Sequence, residues 1–325
     1  LKIIIAGGTG HVGTALSRDL AQKGHEIVIL SRGGGTKAGG SGNAVPRIVT
    51  WDGVNKGPWF SEFHDADVVI NLAGRTVNCR YTKENLRQMM DSRVDSTRII
   101  GLAIEASEQK TGRAPDLWLQ MSTATIYAHR FDQANDEANG LIGGSEPDVP
   151  RYWDYSIQIA KNWEDELAKA NTPSTRRVAL RTAMVMGTNP ESVFGVLSNM
   201  TRLRLGGAIG GGKQYVSWIH EVDFLRAVDF IMEREDLRGA INICAPEPLP
   251  QKSFMRELRN AWGVSIGLPA MAWMAEIGAF FLRTDTELLL KSRRVVPGRL
   301  LDVGFEFKFP TWRLAAQDLV QSIQR

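Results

Sequence analysis

Gly7, Gly10 and Gly13 form a G-x-x-G-x-x-G pattern just behind the first apolar run of the chain. That spacing serves one kind of chemistry, the holding of a pyrophosphate. One glycine turns the backbone tightly, one lets amides approach the phosphate oxygens, and one lets a helix pack closely on a strand. The N-terminus of the following helix adds unpaired N–H groups and a positive partial charge. A glycine triplet alone is weak, but its position here makes the signal strong. It lies between Lys2-Ile3-Ile4-Ile5, which reads as a buried strand, and an amphipathic stretch from Val12 to Lys23. Gly7, Thr9, Gly10, His11, Val12 and Gly13 are therefore the expected dinucleotide cradle.

The next strand-like run ends in Leu30-Ser31-Arg32. An NAD site carries an acidic residue here for the ribose 2′-hydroxyl, and none occurs before Asp52. Arg32 supplies a guanidinium and Ser31 a hydroxyl, a pair suited to a 2′-phosphate. NADP is the expected cofactor.

Other chemistries are disfavoured. Cys79 and Cys244 show no CxxC spacing, so neither a disulfide framework nor a zinc site is expected. None of the five histidines pairs with another at helical ligand spacing, which argues against a metal. Thirty-nine Lys+Arg against 36 Asp+Glu leave +3, too little for a nucleic-acid partner, which needs a dense basic stripe. Lys291, Arg293, Arg294 and Arg299 form one basic cluster, expected to be a solvated face. The apolar stretch from Pro269 to Leu282 is interrupted by Glu276 and falls short of the ~20 residues of a bilayer span. The numbering opens directly in a strand, with no signal-like segment, and a leader ahead of Leu1 stays open. A soluble, cytoplasmic protein with a reduced interior is the expectation.

The elements that must position the cradle alternate. After the first βαβ unit come strands at Val68–Asn71, Leu117–Met121 and Val178–Met184, separated by helices at Lys83–Ala106 and Tyr155–Ala170. That order predicts a parallel sheet covered on both faces. Gly33 to Gly42 holds six glycines and reads as a flexible connection. Past Met186, glycine-rich turns and short strand-like pieces precede a helix at Glu221–Met232 and a return strand at Ala240–Cys244. Beyond Pro246 the chain reads as helical up to Pro297. The 325 residues amount to about two domains. The fold expected is α/β, a Rossmann-like doubly wound parallel sheet with a smaller, mostly helical C-terminal substrate lobe. Residues 1–187 and 218–245 would form the NADP-binding domain, and 188–217 with 246–325 the lobe.

The glycine spacing, Asn71-Leu72-Ala73-Gly74, and Trp218-Ile219-His220 followed by Asp223 resemble the extended branch of the short-chain dehydrogenase/reductase superfamily. Ser31-Arg32, Trp51-Asp52, Ser92-Arg93, Trp163-Glu164 and the run from Arg294-Val295-Val296-Pro297 through Phe309-Pro310 narrow it. Together they resemble epimerase-family proteins of the SDR39U1 type over essentially the whole chain. The resemblance implies that residues 7–13 wrap the pyrophosphate, with Ser31 and Arg32 at the 2′-phosphate. It further implies that Leu72, Ala73 and Gly74 line the cofactor's far side, that Arg93 lies near it, and that Arg181-Thr182 ends a strand beside the nicotinamide. Helical pairs such as Arg80–Ala106 with Tyr155–Ala170 often make homodimers in this superfamily.

The superfamily's acid/base pair, Tyr-x-x-x-Lys, is missing. On one helix that spacing lets an ammonium lower the phenol's pKa. Four residues after Tyr81, Tyr127, Tyr152, Tyr155 and Tyr215 stand Asn85, Phe131, Ser156, Ile159 and Ile219. Lys161 is six residues past Tyr155, roughly 240° around the helix. What remains is Met121 to Tyr127, which resembles the strand-five signature and places Thr123, with Ser122 beside it, where a hydroxyl polarises a carbonyl. The alternative is a strand-end hydroxyl capping backbone. Tyr127 reads as a packing residue and His220 as a loop residue bonding backbone. Trp218 and the Gly206 to Tyr215 loop either border the substrate pocket or pack in the core.

Two classes of function follow. One is an NADP(H)-dependent oxidoreductase or epimerase acting on an unidentified small carbonyl or hydroxyl compound, with hydride chemistry supplied by the cofactor. The other is a non-catalytic NADPH-binding redox sensor, which the missing Tyr/Lys pair favours.

Overall fold

The protein is seen here as a computed structural model that describes residues 1–33, 45–77, 79–147, 149–150, 153–269 and 287–325. The glycine-rich segment from residue 34 on and the apolar stretch from residue 270 on lie outside the described residues.

β1 (Lys2–Ala6), α1 (His11–Gln22) and β2 (Glu26–Ser31) form the opening βαβ unit, with β1 and β2 parallel. β3 (Arg47–Thr50) adds a half-exposed edge strand that the sequence did not announce. β4 (Val68–Asn71), β5 (Leu117–Thr123), β6 (Arg176–Thr182) and β7 (Gly239–Ile243) complete one sheet, in the order β7-β6-β5-β4-β1-β2-β3. Every pairing in it is parallel. Parallel strands need crossovers, and the crossover helices bury both faces.

The alternation within β1 shows how. Ile3 and Ile5 pack on one side with Leu16 and Leu20 of α1 and with Phe224 and Ile231 of α5 (Glu221–Glu233). Ile4 faces the other side, with Ile100 and Ile104 of α2 (Lys83–Thr111) and Leu167 of α3 (Asp154–Lys169). Side chains of period two thus meet two separate helical layers.

A third apolar cluster holds the smaller lobe. Phe194 of α4 (Val193–Arg202), Phe254 and Leu258 of α6 (Gln251–Trp262), and Trp312 of the C-terminal helix Trp312–Gln324 pack with Trp218. Phe254 stacks on Trp312 at 4.0 Å between ring centroids, and Trp218 meets Trp312 edge-on at 5.0 Å. Trp218 is therefore a core residue of the lobe. Asp223, fully buried at the start of α5, accepts the Lys308 and Phe309 amides at 2.8 Å each and ties the C-terminal segment to the sheet. Among the described residues no helix is long and apolar enough to cross a membrane.

The basic cluster is not a solvated face. Lys291 and Arg293 are 2% and 9% exposed. Lys291 donates to the Thr125 carbonyl at 3.0 Å and lies 3.5 Å from Glu287. Arg294 and Arg299 also spend their donors on carbonyls, those of Phe131, Asp132, Arg238 and Ala240. Charge density alone misreads such residues, because long cationic side chains bury their stems and satisfy loop carbonyls that have no ladder partner.

Candidate functional site

The sheet order reverses between β1 and β4, and the crevice beyond the carboxyl ends of those strands is where open α/β sheets bind ligands. The glycine turn sits there. Gly7 has φ +75°, and a Cβ on it would lie 2.9 Å from the Ala73 backbone. A Cβ on Gly13 would lie 2.6 Å from Gly8 Cα and 2.7 Å from the Gly7 oxygen. Both positions are closed by the protein itself. Gly10 differs, because its Cβ would meet only the Gly7 oxygen, at an ordinary 3.5 Å.

Gly10 is the N-cap of α1, with no side-chain cap and no acidic residue in the first turn. The amides of that turn are left for an anion. Thr9 is exposed, Val12 packs on the core, and His11 Nε2 lies 3.5 Å from Glu221 Oε2. Such a turn fits a pyrophosphate.

Arg32 lines a second cavity of about 360 Å³ together with Trp51, Asp52 and Lys56. Ser31 is buried at the end of β2. Asp52 is not free for a ribose: its carboxylate accepts the Val54 and Asn55 amides, at 2.9 and 2.8 Å, and these bonds hold its pKa below the usual range. Lys56 was missed in the sequence, where nothing marks it apart from other surface lysines.

Across the crevice, Asn71 shapes the Leu72-Ala73-Gly74 turn. Its Oδ1 accepts the Ala73 amide at 3.0 Å and its Nδ2 donates to Gln120 Oε1 at 3.0 Å. Arg93, on α2, lays its guanidinium against Gly74, whose Cβ would sit 3.2 Å from Arg93 Cζ, and 5.0 Å over the Trp163 ring. Nη1 donates to the Met89 carbonyl at 3.0 Å. Burial lowers the Arg93 pKa to about 10, and among the described residues no carboxylate comes within ion-pair distance of it.

A cavity of about 200 Å³ opens beside Arg93. Its wall is mostly apolar, with Val77, Met89, Trp163 and Met184, and its hydroxyl groups are those of Tyr81, Thr123, Thr125, Ser156, Thr182 and Ser217. Thr123 Oγ1 accepts the Thr125 amide at 3.1 Å, which leaves its proton to be donated elsewhere.

Ser122 is not brought to this cavity. Neighbouring strand residues point to opposite faces, and Ser122 donates instead to Glu164 Oε1 at 2.6 Å. Glu164 also takes two bonds from Arg181, at 2.9 and 2.7 Å. Burial works against the Arg181 charge, but Glu164 more than offsets it and holds its pKa above the ordinary value. Tyr127 is sealed behind the same pair. It is 2% exposed, accepts from Arg181 and donates to Asn242 at 2.9 Å, and burial pushes its phenol pKa up. It packs, as its sequence context implied.

His220 caps α5, its Nδ1 accepting the Val222 amide at 3.1 Å, while its ring stacks on Phe309. Among the described residues the cavity wall includes Ser217 but neither Trp218 nor the Gly206–Tyr215 loop.

The hydroxyl that α3 presents to the cavity is Ser156. It donates to Glu287, which is fully buried in the short helix Glu287–Leu290 and lies 3.5 Å from Lys291 and 3.9 Å from Arg293. Four residues beyond Ser156 stands Ala160, so no lysine shares its helical face. Ser156, Glu287 and Arg293 all line the cavity and were all missed. Their only sequence signal was the basic cluster, which points to this corner once its burial is known.

Residues 3–244 match the model of the NAD dependent epimerase/dehydratase family, and residues 272–319 match a domain of unknown function, DUF1731. The chain is 29% identical to the epimerase family protein SDR39U1 of Mus musculus, over 98% of this chain and 100% of that protein. It is also 29% identical to the epimerase family protein SERP0438 of Staphylococcus epidermidis, over 99% of each. The crystal structure of human SDR39U1, isoform 2, with NADPH matches at TM-score 0.83 and 26% identity, covering 99% of both chains. UDP-glucose 4-epimerase of Thermus thermophilus with NAD matches at TM-score 0.69 over 100% and 99% of the two chains, a likeness of fold at 15% identity.

Proposed function

This chain belongs to the NAD-dependent epimerase/dehydratase family, and on that premise we propose that it is an NADP(H)-dependent oxidoreductase or epimerase acting on a small carbonyl or hydroxyl compound. The glycine turn carries the reading. Gly7 and Gly13 are closed by their own backbone neighbours, while Gly10 and the uncapped start of α1 leave room and donors for a pyrophosphate. Human SDR39U1, similar over nearly the whole chain, was solved with NADPH, which supports the same cofactor here.

In this reading Gly7, Thr9, Gly10, His11, Val12 and Gly13 wrap the pyrophosphate. Ser31 and Arg32 take the 2′-phosphate, with Lys56 in the same cavity wall. Leu72, Ala73 and Gly74 line the far side, and Arg93 and Thr182 stand at the nicotinamide end. The bound cofactor would supply or accept a hydride. Thr123 donates its hydroxyl proton as a hydrogen bond to the substrate oxygen and stabilises the charge that develops there. Ser156 offers a second hydroxyl, and Glu287 behind it is positioned to hold a proton passed through Ser156 Oγ. This pair takes over a task that the superfamily gives to tyrosine and lysine.

The missing Tyr-x-x-x-Lys pair favours a second reading, a protein that binds NADPH without turning it over. Reduced-nicotinamide absorbance tells them apart. With small carbonyl compounds the enzyme consumes NADPH, and Thr123→Val abolishes the consumption. Tight NADPH binding with no absorbance change in either direction, and no inversion of a substrate stereocentre, supports the sensor.

A further inference from the structure

Arg93 carries a charge that no carboxylate among the described residues answers. Trp163 covers one face of its guanidinium, and Gly74 crowds it with a bare backbone. Nη1 is taken by the Met89 carbonyl. Nε and Nη2 make no hydrogen bond among the described residues, and the side chain as a whole is half-buried. Arg93 lines the 200 Å³ cavity, so this free edge has the cavity beside it.

The other charges in the wall do not cancel it. Glu287 is the wall's one carboxylate among the described residues, and it is already claimed by Ser156, Lys291 and Arg293. A buried charge without a partner is costly, and a ligand that brings the opposite charge recovers that cost on binding. The nicotinamide ring brings none, because it is neutral when reduced and cationic when oxidised.

The Nε/Nη2 edge of a guanidinium matches the two oxygens of a carboxylate. The volume sets the size, for it lies below the roughly 300 Å³ at which drug-sized sites begin. We infer that the cavity takes a small organic acid, its carboxylate received by the Nε/Nη2 edge of Arg93 and its oxo or hydroxyl carbon turned towards Thr123. This rests on the oxidoreductase reading only for the orientation at Thr123; the anion site stands on Arg93 alone.

The test uses oxamate, a mimic of a small 2-oxo acid, and its uncharged isostere oxamide. Tryptophan fluorescence and the ¹⁵N resonance of Arg93 Nε are followed with the full chain, with and without saturating NADP⁺. Oxamate is expected to shift both signals and oxamide neither, with oxamate still bound in the NADP⁺ complex. Arg93→Met is expected to weaken oxamate about tenfold to a hundredfold, the range of a charged hydrogen-bonded contact, and Arg93→Lys to recover part of the loss.

Equal binding of oxamate and oxamide by the wild-type chain overturns the inference without any variant. Displacement of oxamate by NADP⁺ also overturns it, since Arg93 would then answer the cofactor's own phosphates. If NADP⁺ does not bind at all, the cofactor reading fails, and the oxamate comparison still decides the anion site.

Discussion

Gly10→Ala separates a glycine kept for a ligand from glycines kept for the fold. Gly10 has φ −72° and ψ 173°, extended backbone open to any residue, and its new Cβ would touch only the Gly7 oxygen at 3.5 Å. Alanine is a poorer N-cap than glycine, a cost of about 1 kcal/mol. It also restricts the unfolded chain, which returns about 0.4–1 kcal/mol. The two nearly cancel, so the melting temperature should move by about 2 °C or less. Gly13→Ala is the contrast, since a Cβ 2.6 Å from Gly8 Cα has only backbone to push against. Overpacking of that kind costs about 1–3 kcal/mol. If a pyrophosphate lies on the turn, the Gly10 methyl occupies its space and NADPH binding weakens about tenfold to a hundredfold. Calorimetric titration with NADPH and thermal melts of both variants supply the readouts. A Gly10→Ala protein that binds NADPH like wild type refutes the cradle. One that melts as low as Gly13→Ala refutes the steric reading of the turn.

Four further outcomes are expected. Arg32→Ala should lower the ratio of NADPH to NADH affinity, mainly by weakening NADPH; titration showing an unchanged ratio would remove Arg32 from the 2′-phosphate. Thr123→Val should suppress turnover at nearly unchanged stability. Ser122→Ala should cost about 1 kcal/mol of stability through the lost bond to Glu164 and leave turnover largely intact, as urea unfolding and steady-state rates together would show. Lys291 gives a pH dependence. Burial lowers its pKa from 10.5 to about 8 although Glu287 opposes the shift. Between those values the unfolded chain holds the extra proton, so stability must rise with pH there, by about 3 kcal/mol at most. Urea midpoints of wild type relative to Lys291→Met should therefore climb from pH 8 to 10.5, and a flat difference would mean that the ammonium is not buried as the structure has it.

The sheet and the glycine turn were legible because their signals are local. Buried β-branched runs such as Ile3-Ile4-Ile5 and the glycine spacing declare themselves within a few residues. The edge strand β3 was not legible, because four residues with half-exposed side chains carry no period. The far wall of the cavity was hidden for a different reason. Ser156 and Glu287 are 131 residues apart and meet only through the tertiary fold. Lys291 and Arg293 looked like surface charge, since a sequence shows their number but not the carbonyls of Thr125 and its neighbours that await them. Strand alternation, by contrast, already separates Ser122 from Thr123, and applying it to β5 would have chosen between them.

In the proposed function, hydride chemistry takes place beside Thr123. The most direct measurement is a single turnover in a stopped-flow spectrometer, following reduced-nicotinamide absorbance on mixing small oxo or hydroxy compounds, acids and uncharged ones alike, with protein loaded with NADPH or NADP⁺. Loss of absorbance with an oxo compound, or its appearance with a hydroxy compound, is expected, and neither in Thr123→Val. Cofactor that binds tightly, with absorbance unmoved in both directions and no epimer or deuterium exchange in any compound of the panel, would contradict this reading.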